Sequence, residues 1–117
     1  MKQTESLKKN YEFSLLYKKG EYYVGRHMTL YTLATRRGTR RIGITVSRKA
    51  VRKSTKRNRI RRLIKECYRL YENSITSNKD MVFVVRKTEI LPEYAEIKKE
   101  MKYLLSVSGL IGEHEEI

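Results

Sequence analysis

The chain has 117 residues and a formal net charge of +14, a size that suits one domain with a single modest core. No apolar run approaches the ~20 residues that cross a bilayer, the single cysteine allows no internal disulfide, and MKQTESLKKN lacks the apolar region of a signal peptide, so a cytoplasmic protein with no membrane partner is expected. Residues 22–65 hold fifteen Lys or Arg and no Asp or Glu, leaving twelve basic against thirteen acidic residues elsewhere; such concentration points to a polyanionic partner, nucleic acid or an anionic surface.

Residues 1–6 read as a frayed lead-in. Asn10 is a candidate N-cap for a helix over Tyr11–Lys19 closed by Gly20 at its C′ position. Phe13, Leu16 and Tyr17 share one face of that helix. Residues 22–35 are rich in Tyr, Thr, Val and Leu, as strands are. Met28, Leu30, Thr32 and Ala34 point one way, and Thr29, Tyr31, Leu33 and Thr35 the other. A basic turn at Arg36–Arg41, centred on Gly38, leads to a return strand over Ile42–Ser47. There Ile42, Ile44 and Val46 face the core, and the small residues Gly43, Thr45 and Ser47 face away.

The stretch from Val46 to Leu70 dominates the sequence. Ten Lys or Arg and no acid lie between Arg48 and Lys65. Ile60, Leu63, Ile64, Cys67 and Tyr71 nevertheless fall on one face of a helix. Ser54 or Thr55 is the expected N-cap. Arg57, Arg61 and Lys65 follow at i+4 steps, an arrangement that costs about 0.2–0.5 kcal/mol per like-charged pair, and further cations crowd the positive end of the helix dipole. An external polyanion would supply the missing charge. Cys67 lies on the apolar stripe and reads as a buried small hydrophobe.

Residues Asn73–Asp80 form a polar connector. Met81–Arg86 is almost wholly apolar, as expected of a central strand. A loop over Lys87–Leu91 precedes a last helix opened by Pro92, with Tyr94, Ile97, Met101, Leu104 and Leu105 as its apolar stripe. Residues 109–117, including Glu113, Glu115 and Glu116, read as a frayed end. The elements predict an α+β or α/β two-layer sandwich: about four strands in a mixed sheet, helices on one face, and a βαβ crossover over Ile42–Arg86. Generic rules make such a crossover right-handed.

No catalytic constellation is visible. His27 and His114 have no partners at metal-ligand spacing, and no glycine-rich phosphate loop precedes a helix. Arginine forks suit phosphate oxygens. Aromatics beside cations, such as Phe13, Tyr17 and Tyr31 with Arg26 and Lys18, suit single-stranded nucleic acid. Taken alone, each such ring is more often a core residue than a stacking platform.

Three segments together resemble the protein subunit of bacterial ribonuclease P. They are LKKNYEFSLLYKKG at Leu7–Gly20, Arg26–Leu33 leading into RIGITVSRK at Arg41–Lys49, and RNRIRRLIKE at Arg57–Glu66, which carries that family's RNR signature. DMVFVVRK at Asp80–Lys87 adds a fourth match, and the resemblance spans roughly residues 7–105. It implies a left-handed central crossover, against the generic rule. It implies a subunit that binds a catalytic RNA and the single-stranded 5′ leader of precursor tRNA, assisting Mg²⁺-dependent removal of the leader. The reactive groups and the Mg²⁺ would belong to the RNA, with one protein per RNA.

By the same resemblance, Arg57, Asn58, Arg59, Arg61, Arg62 and Lys65 would face the catalytic RNA, with Arg52, Lys53 and Lys56 of the preceding loop. The leader would meet Phe13, Tyr17, Arg26, Tyr31, Ser47, Arg48 and Arg86. The loop Ala50–Lys56 departs from the family pattern, being one residue longer and without glycine. The alternative reading is a ribosomal or other structured-RNA-binding protein with no role in cleavage. A nuclease acting through its own side chains and a DNA-binding module are the remaining rivals.

Overall fold

The computed structural model describes residues 4–35 and 38–112. The cations at Arg36 and Arg37 and the acidic residues Glu113, Glu115 and Glu116 lie outside the described residues. The elements run β1 (Thr4–Ser6), α1 (Asn10–Lys19), β2 (Glu21–Val24), β3 (Met28–Ala34), β4 (Arg40–Thr45), α2 (Ser54–Tyr71), a short 3₁₀ turn (Glu72–Ser74), β5 (Lys79–Val85) and α3 (Tyr94–Val107).

The sheet has five strands in the order β1-β4-β5-β3-β2. β5 sits at its centre, parallel to β4 and antiparallel to β3. β3 and β4 are therefore not the two arms of a hairpin, contrary to the sequence reading, because β5 lies between them. Residues 22–35 form two strands, β2 and β3, which pair with each other across a tight turn at Gly25–His27. Residues 4–6 are not frayed: they pair with Arg40–Ile42 as a parallel edge strand. Tyr68 of α2 fastens that edge, its hydroxyl lying 2.7 Å from Thr4 Oγ1.

The helices occupy both faces of the sheet, which corrects the expectation of one. The central strand shows why. Met81, Phe83 and Val85 point to one side and join Met28, Leu30 and Ile42 beneath α2 and α3. Val82, fully buried, points to the other side and packs with Leu7 and Leu16 of the α1 region, bordered by Phe13, Tyr31, Leu33 and Val84. A strand apolar on both sides needs cover on both. Of the predicted α2 stripe, Ile60, Ile64, Cys67 and Tyr71 are buried and Leu63 is half-buried at its edge, while Tyr68 takes a fully buried place beside them. In α3, Ile97, Met101, Leu104 and Leu105 are buried, whereas Tyr94, expected on the same stripe, is exposed at the first turn of the helix. The chain beyond α3 also turns back into the core: Gly109 adopts φ +77°, and Leu110 and Ile111 are buried. That left-handed turn is what glycine permits.

The β4–α2–β5 crossover is left-handed, as the family resemblance implies. Ile42 directs its side chain to the α2 face, while its carbonyl accepts from Leu7 N–H, next to β1, at 2.8 Å. In an L-residue of an upward strand, seen with the side chain toward the viewer, the backbone N–H and C=O point right. β1 thus lies to the right of β4, and β5 to the left, with α2 in front. The usual right-handed connection would place β5 on the other side.

Several helix ends differ from expectation. α3 begins at Tyr94 with Glu93 as its N-cap, so Pro92 precedes the helix instead of opening it. The α1 N-cap is Lys9, whose amide donates to Glu12 Oε1 at 3.2 Å. Gly20 is extended, with φ −74°. Its role is close approach: a Cβ there would stand 2.6 Å from the Leu16 carbonyl oxygen and 2.7 Å from that of Thr32.

Arg41, expected in a surface turn, is buried within β4. Its guanidinium makes a forked pair with Asp80 of β5, Nε to Oδ1 at 2.9 Å and Nη2 to Oδ2 at 2.6 Å, and Nη1 donates to Glu12 of α1. One cation thus joins three elements. The bond from Arg41 holds the Glu12 carboxyl below its ordinary pKa of 4.5, outweighing the opposing effect of burial. A carboxyl depressed in this way stabilises the fold fully above its unfolded pKa and loses that contribution as pH falls through the lower folded value. Thermal unfolding followed from pH 6 to pH 3 should therefore show a smaller fall in Tm for Glu12→Gln than for the parent chain. Parallel curves would contradict this linkage.

Candidate nucleic-acid interface

α1 lies across the sheet near β4, and the contact depends on Gly43. A Cβ at Gly43 would come within 2.5 Å of the Phe13 ring. Its absence lets Phe13 settle onto the sheet, half-buried. Tyr17, one turn later, stays exposed, and its hydroxyl lies 2.8 Å from Thr45 Oγ1. The outward-facing small residues of β4 are thus partly covered by α1.

Aromatic rings continue from there across the sheet. Tyr17 meets Tyr31 edge-on at 5.1 Å between centroids and 72° between planes. Tyr31 pairs across strands with Tyr22, at 5.9 Å and 36°. Between α1 and β4 runs an open groove of about 380 Å³, lined by Asn10, Phe13, Ser14, Tyr17, Ile44, Thr45, Val46 and Arg61. The structure therefore unites Phe13, Tyr17 and Tyr31, as the sequence predicts, and adds Arg61 from α2. Arg61 had been assigned to the catalytic-RNA face; its position at the edge of the apolar stripe turns it toward the groove.

Arg26 and Arg86 form a separate group at one end of the sheet. Both line a depression with His27 and Lys87. Arg86 Nη1 donates to the Gly25 carbonyl at 2.8 Å. The β2–β3 turn that carries Arg26 is fixed on α3. Glu100 accepts from His27 N–H at 2.9 Å and from Met28 N–H at 2.7 Å. Gly25 is required there, since a Cβ would lie 2.7 Å from the Glu100 carboxyl carbon. His27 Nε2 reaches Glu96 at 3.4 Å.

The loop after β4 joins the two groups. Thr45 is in register with Val84, so Ser47 and Arg86 follow two residues later, roughly 7 Å further along the strands. Ser47 and Arg48 are exposed at that point. Ser47 Oγ accepts from Ala50 N–H at 3.1 Å, so part of its hydrogen-bonding capacity serves the turn.

Along α2 and its approach, Arg52, Lys53, Lys56, Asn58, Arg59, Arg62 and Lys65 are exposed, whereas Arg57 and Arg61 are half-buried. The N-cap is Lys53, without a side-chain cap bond, and the first turn has no acid. Neither Ser54 nor Thr55 caps the helix, because both already lie inside it. Among the described residues, no α2 cation reaches a carboxylate within 4.0 Å. The helix N-terminus thus carries positive charge on a positive dipole end, and the nearby Glu89 shares a depression with Lys56 and Arg59 without an ion pair to either.

Three residues of consequence escaped the sequence reading. Tyr22 extends the aromatic row, and its two-residue offset from Val24 on a Tyr-rich strand is the signal that could have found it. Thr45 anchors Tyr17. Asp80 holds Arg41, and a lone acid in an apolar strand signals a buried partner. Cys67 is buried as expected, and burial raises its thiol pKa to about 11. Among the described residues, no cluster of three or more His, Cys, Asp and Glu could hold a metal ion. No described helix is long and apolar enough to cross a membrane.

Comparison with known proteins gives a consistent answer. The family model Ribonuclease P matches residues 1–108. The ribonuclease P protein component of Clostridium kluyveri is 40% identical over 106 residues, covering 89% of this chain and 94% of the relative. That of Alkaliphilus metalliredigens is 36% identical over 112 residues, covering 96% and 100%. The 2.0 Å structure of the Staphylococcus aureus RNase P protein superposes with a TM-score of 0.81 at 27% identity, over 92% of this chain and 97% of that one. The Thermotoga maritima RNase P protein shares the fold, with a TM-score of 0.76 at 24% identity, over 88% and 96%. The reading as a ribosomal or other structured-RNA-binding protein gains no support from these matches. With the RNR helix, the left-handed crossover and the aromatic groove in place, the chain belongs to the ribonuclease P protein family, the protein component of a ribonucleoprotein endoribonuclease that processes tRNA.

Proposed function

We propose that this chain binds the single-stranded 5′ leader of precursor tRNA in the groove between α1 and β4, while the exposed cations of α2 hold the ribonuclease P RNA, one protein to one RNA. The groove carries the reading. It sets the exposed ring of Tyr17 beside Tyr31, adds Phe13 at its floor, and places the Arg61 guanidinium at its side. Rings stack on bases of any sequence, and the cation meets the phosphate between them. Arg26, Arg48 and Arg86 continue the cationic track beyond the groove.

The chain's own residues bind and orient in this scheme. Phe13, Tyr17 and Tyr31 receive bases. Arg59, Arg62 and Lys65 neutralise phosphates of the catalytic RNA. The RNA carries the Mg²⁺ and the bond-breaking step, and no step is assigned to a protein side chain.

Tyr17→Ala and Tyr31→Ala test the groove. Each removes a platform worth about 1–3 kcal/mol per stacked base. Each should weaken holoenzyme binding of leader-bearing precursor by about tenfold, a change within that range, while mature tRNA binding stays within about twofold. Equal losses for the two ligands would contradict the leader assignment. Phe13→Ala is a poorer probe, because its ring also fills the space above Gly43.

The α2 face is tested by salt. Each phosphate contact contributes about 0.7–0.9 to the slope of log K against log salt concentration. Arg59→Ala combined with Arg62→Ala should reduce that slope for the catalytic RNA by about 1.4–1.8. A slope equal to that of the parent chain would remove these residues from the interface.

A further inference from the structure

The segment joining β4 to α2 has no glycine, yet it follows a defined path. Positive φ occurs among the described residues only at Gly109, so the segment needs no left-handed backbone. Its polar groups are satisfied one after another. The Ser47 carbonyl accepts from Val51 N–H at 3.0 Å, and the Ala50 carbonyl from Thr88 N–H at 3.0 Å. Ala50 and Val51 are buried, so this first half is packed down. The second half is held differently. Arg57 Nη1 donates to the Val51 carbonyl at 3.0 Å and to the Arg52 carbonyl at 2.7 Å.

Arg57 thus turns back from the first turn of α2 onto the strand of chain that enters it. The carbonyl dipoles give its charge a partner that no carboxylate among the described residues provides. Around it, Arg48, Lys49, Arg52 and Lys53 are all exposed. Four like charges so close in sequence repel one another, and an untethered loop would splay them apart. A tether that fixes them in advance removes the ordering cost from the binding step.

We propose that Arg57 is a positioning residue, holding the loop through the Val51 and Arg52 carbonyls so that Arg48, Lys49, Arg52 and Lys53 meet the catalytic RNA as one preformed cationic surface. The inference rests on the assignment of this face to RNA. It alters the role of the first arginine of the RNR motif, which the sequence alone suggested as a direct RNA contact. It also explains how this loop keeps its course without the glycine usual in the family.

Two experiments on the full-length protein test it. In the free protein, trypsin should cut after Arg52 or Lys53 at least tenfold faster in Arg57→Ala than in the parent chain. An unchanged rate would overturn the tether, whatever the RNA does. With the ribonuclease P RNA, Arg57→Ala should lower the salt slope by the equivalent of two or more phosphate contacts, above about 1.4. Adding Arg57→Ala to Arg52→Ala/Lys53→Ala should then cost clearly less than the product of the separate fold-losses. A slope change of about one contact, with losses that multiply, would make Arg57 a plain phosphate ligand and refute the proposal. Circular dichroism confirms that each variant is folded; should Arg57→Ala fail to fold, Arg57→Met, which keeps an apolar stem but has no donor for the two carbonyls, replaces it in both arms with the same criteria.

Discussion

The arrangement of this protein turns on one buried guanidinium. Arg41 lies in β4 between the carboxylate of Asp80 on β5 and that of Glu12 on α1. Removing one member of such a buried group leaves another charge without its partner, at a cost of several kcal/mol. What the trio secures is position. It fastens α1 to the sheet face opposite α2, and the groove exists only because α1 is there. Gly43 and Gly20 complete the fit by letting Phe13 and the end of α1 approach the sheet closely.

A second constraint opposes the first in character. The charge that Arg41 brings into the fold is matched internally, whereas the charge on α2 is not. Its cations stand at the positive end of a helix dipole, and among the described residues none pairs with a carboxylate. The apolar stripe of Ile60, Ile64, Cys67, Tyr68 and Tyr71 holds the helix in place despite that repulsion. Burial of several such side chains, at roughly 1.5–3 kcal/mol each, exceeds a few like-charge penalties of about 0.2–0.5 kcal/mol. In the proposed assembly that surface is neutralised by RNA.

Much of this was legible in the sequence. The stripes of α2 and α3 follow from helical spacing, and the two faces of β3 from alternation. Leu7–Gly20, Arg26–Lys49 and the RNR segment at Arg57–Glu66 together carried the family resemblance. What escaped were the features decided between elements. Alternation shows which side of a strand is apolar, but it does not show its neighbour, so β5 between β3 and β4 was read as a hairpin with a separate strand. The apolar run Met81–Arg86 marks a central strand, but which helix covers each of its faces is decided by its neighbours in the sheet. Arg41 and Asp80 looked like a surface cation and a strand-opening acid because each has meaning only with the other beside it. Of the residues expected to meet the leader, Phe13, Tyr17 and Tyr31 lie together beside α1, whereas Arg26 and Arg86 stand apart at the sheet end.

The central claim is that leader and catalytic RNA occupy different faces, the first between α1 and β4 and the second along α2. The most direct measurement attaches a photoreactive group to Ser14→Cys in the groove or, in a second preparation, to Asn58→Cys on α2; Cys67 is buried and stays unlabelled. In the holoenzyme with precursor tRNA, the group at position 14 should crosslink to leader nucleotides and the group at position 58 to the catalytic RNA. Crosslinks from position 14 to the catalytic RNA or to the mature tRNA body, with none to the leader, would contradict the account.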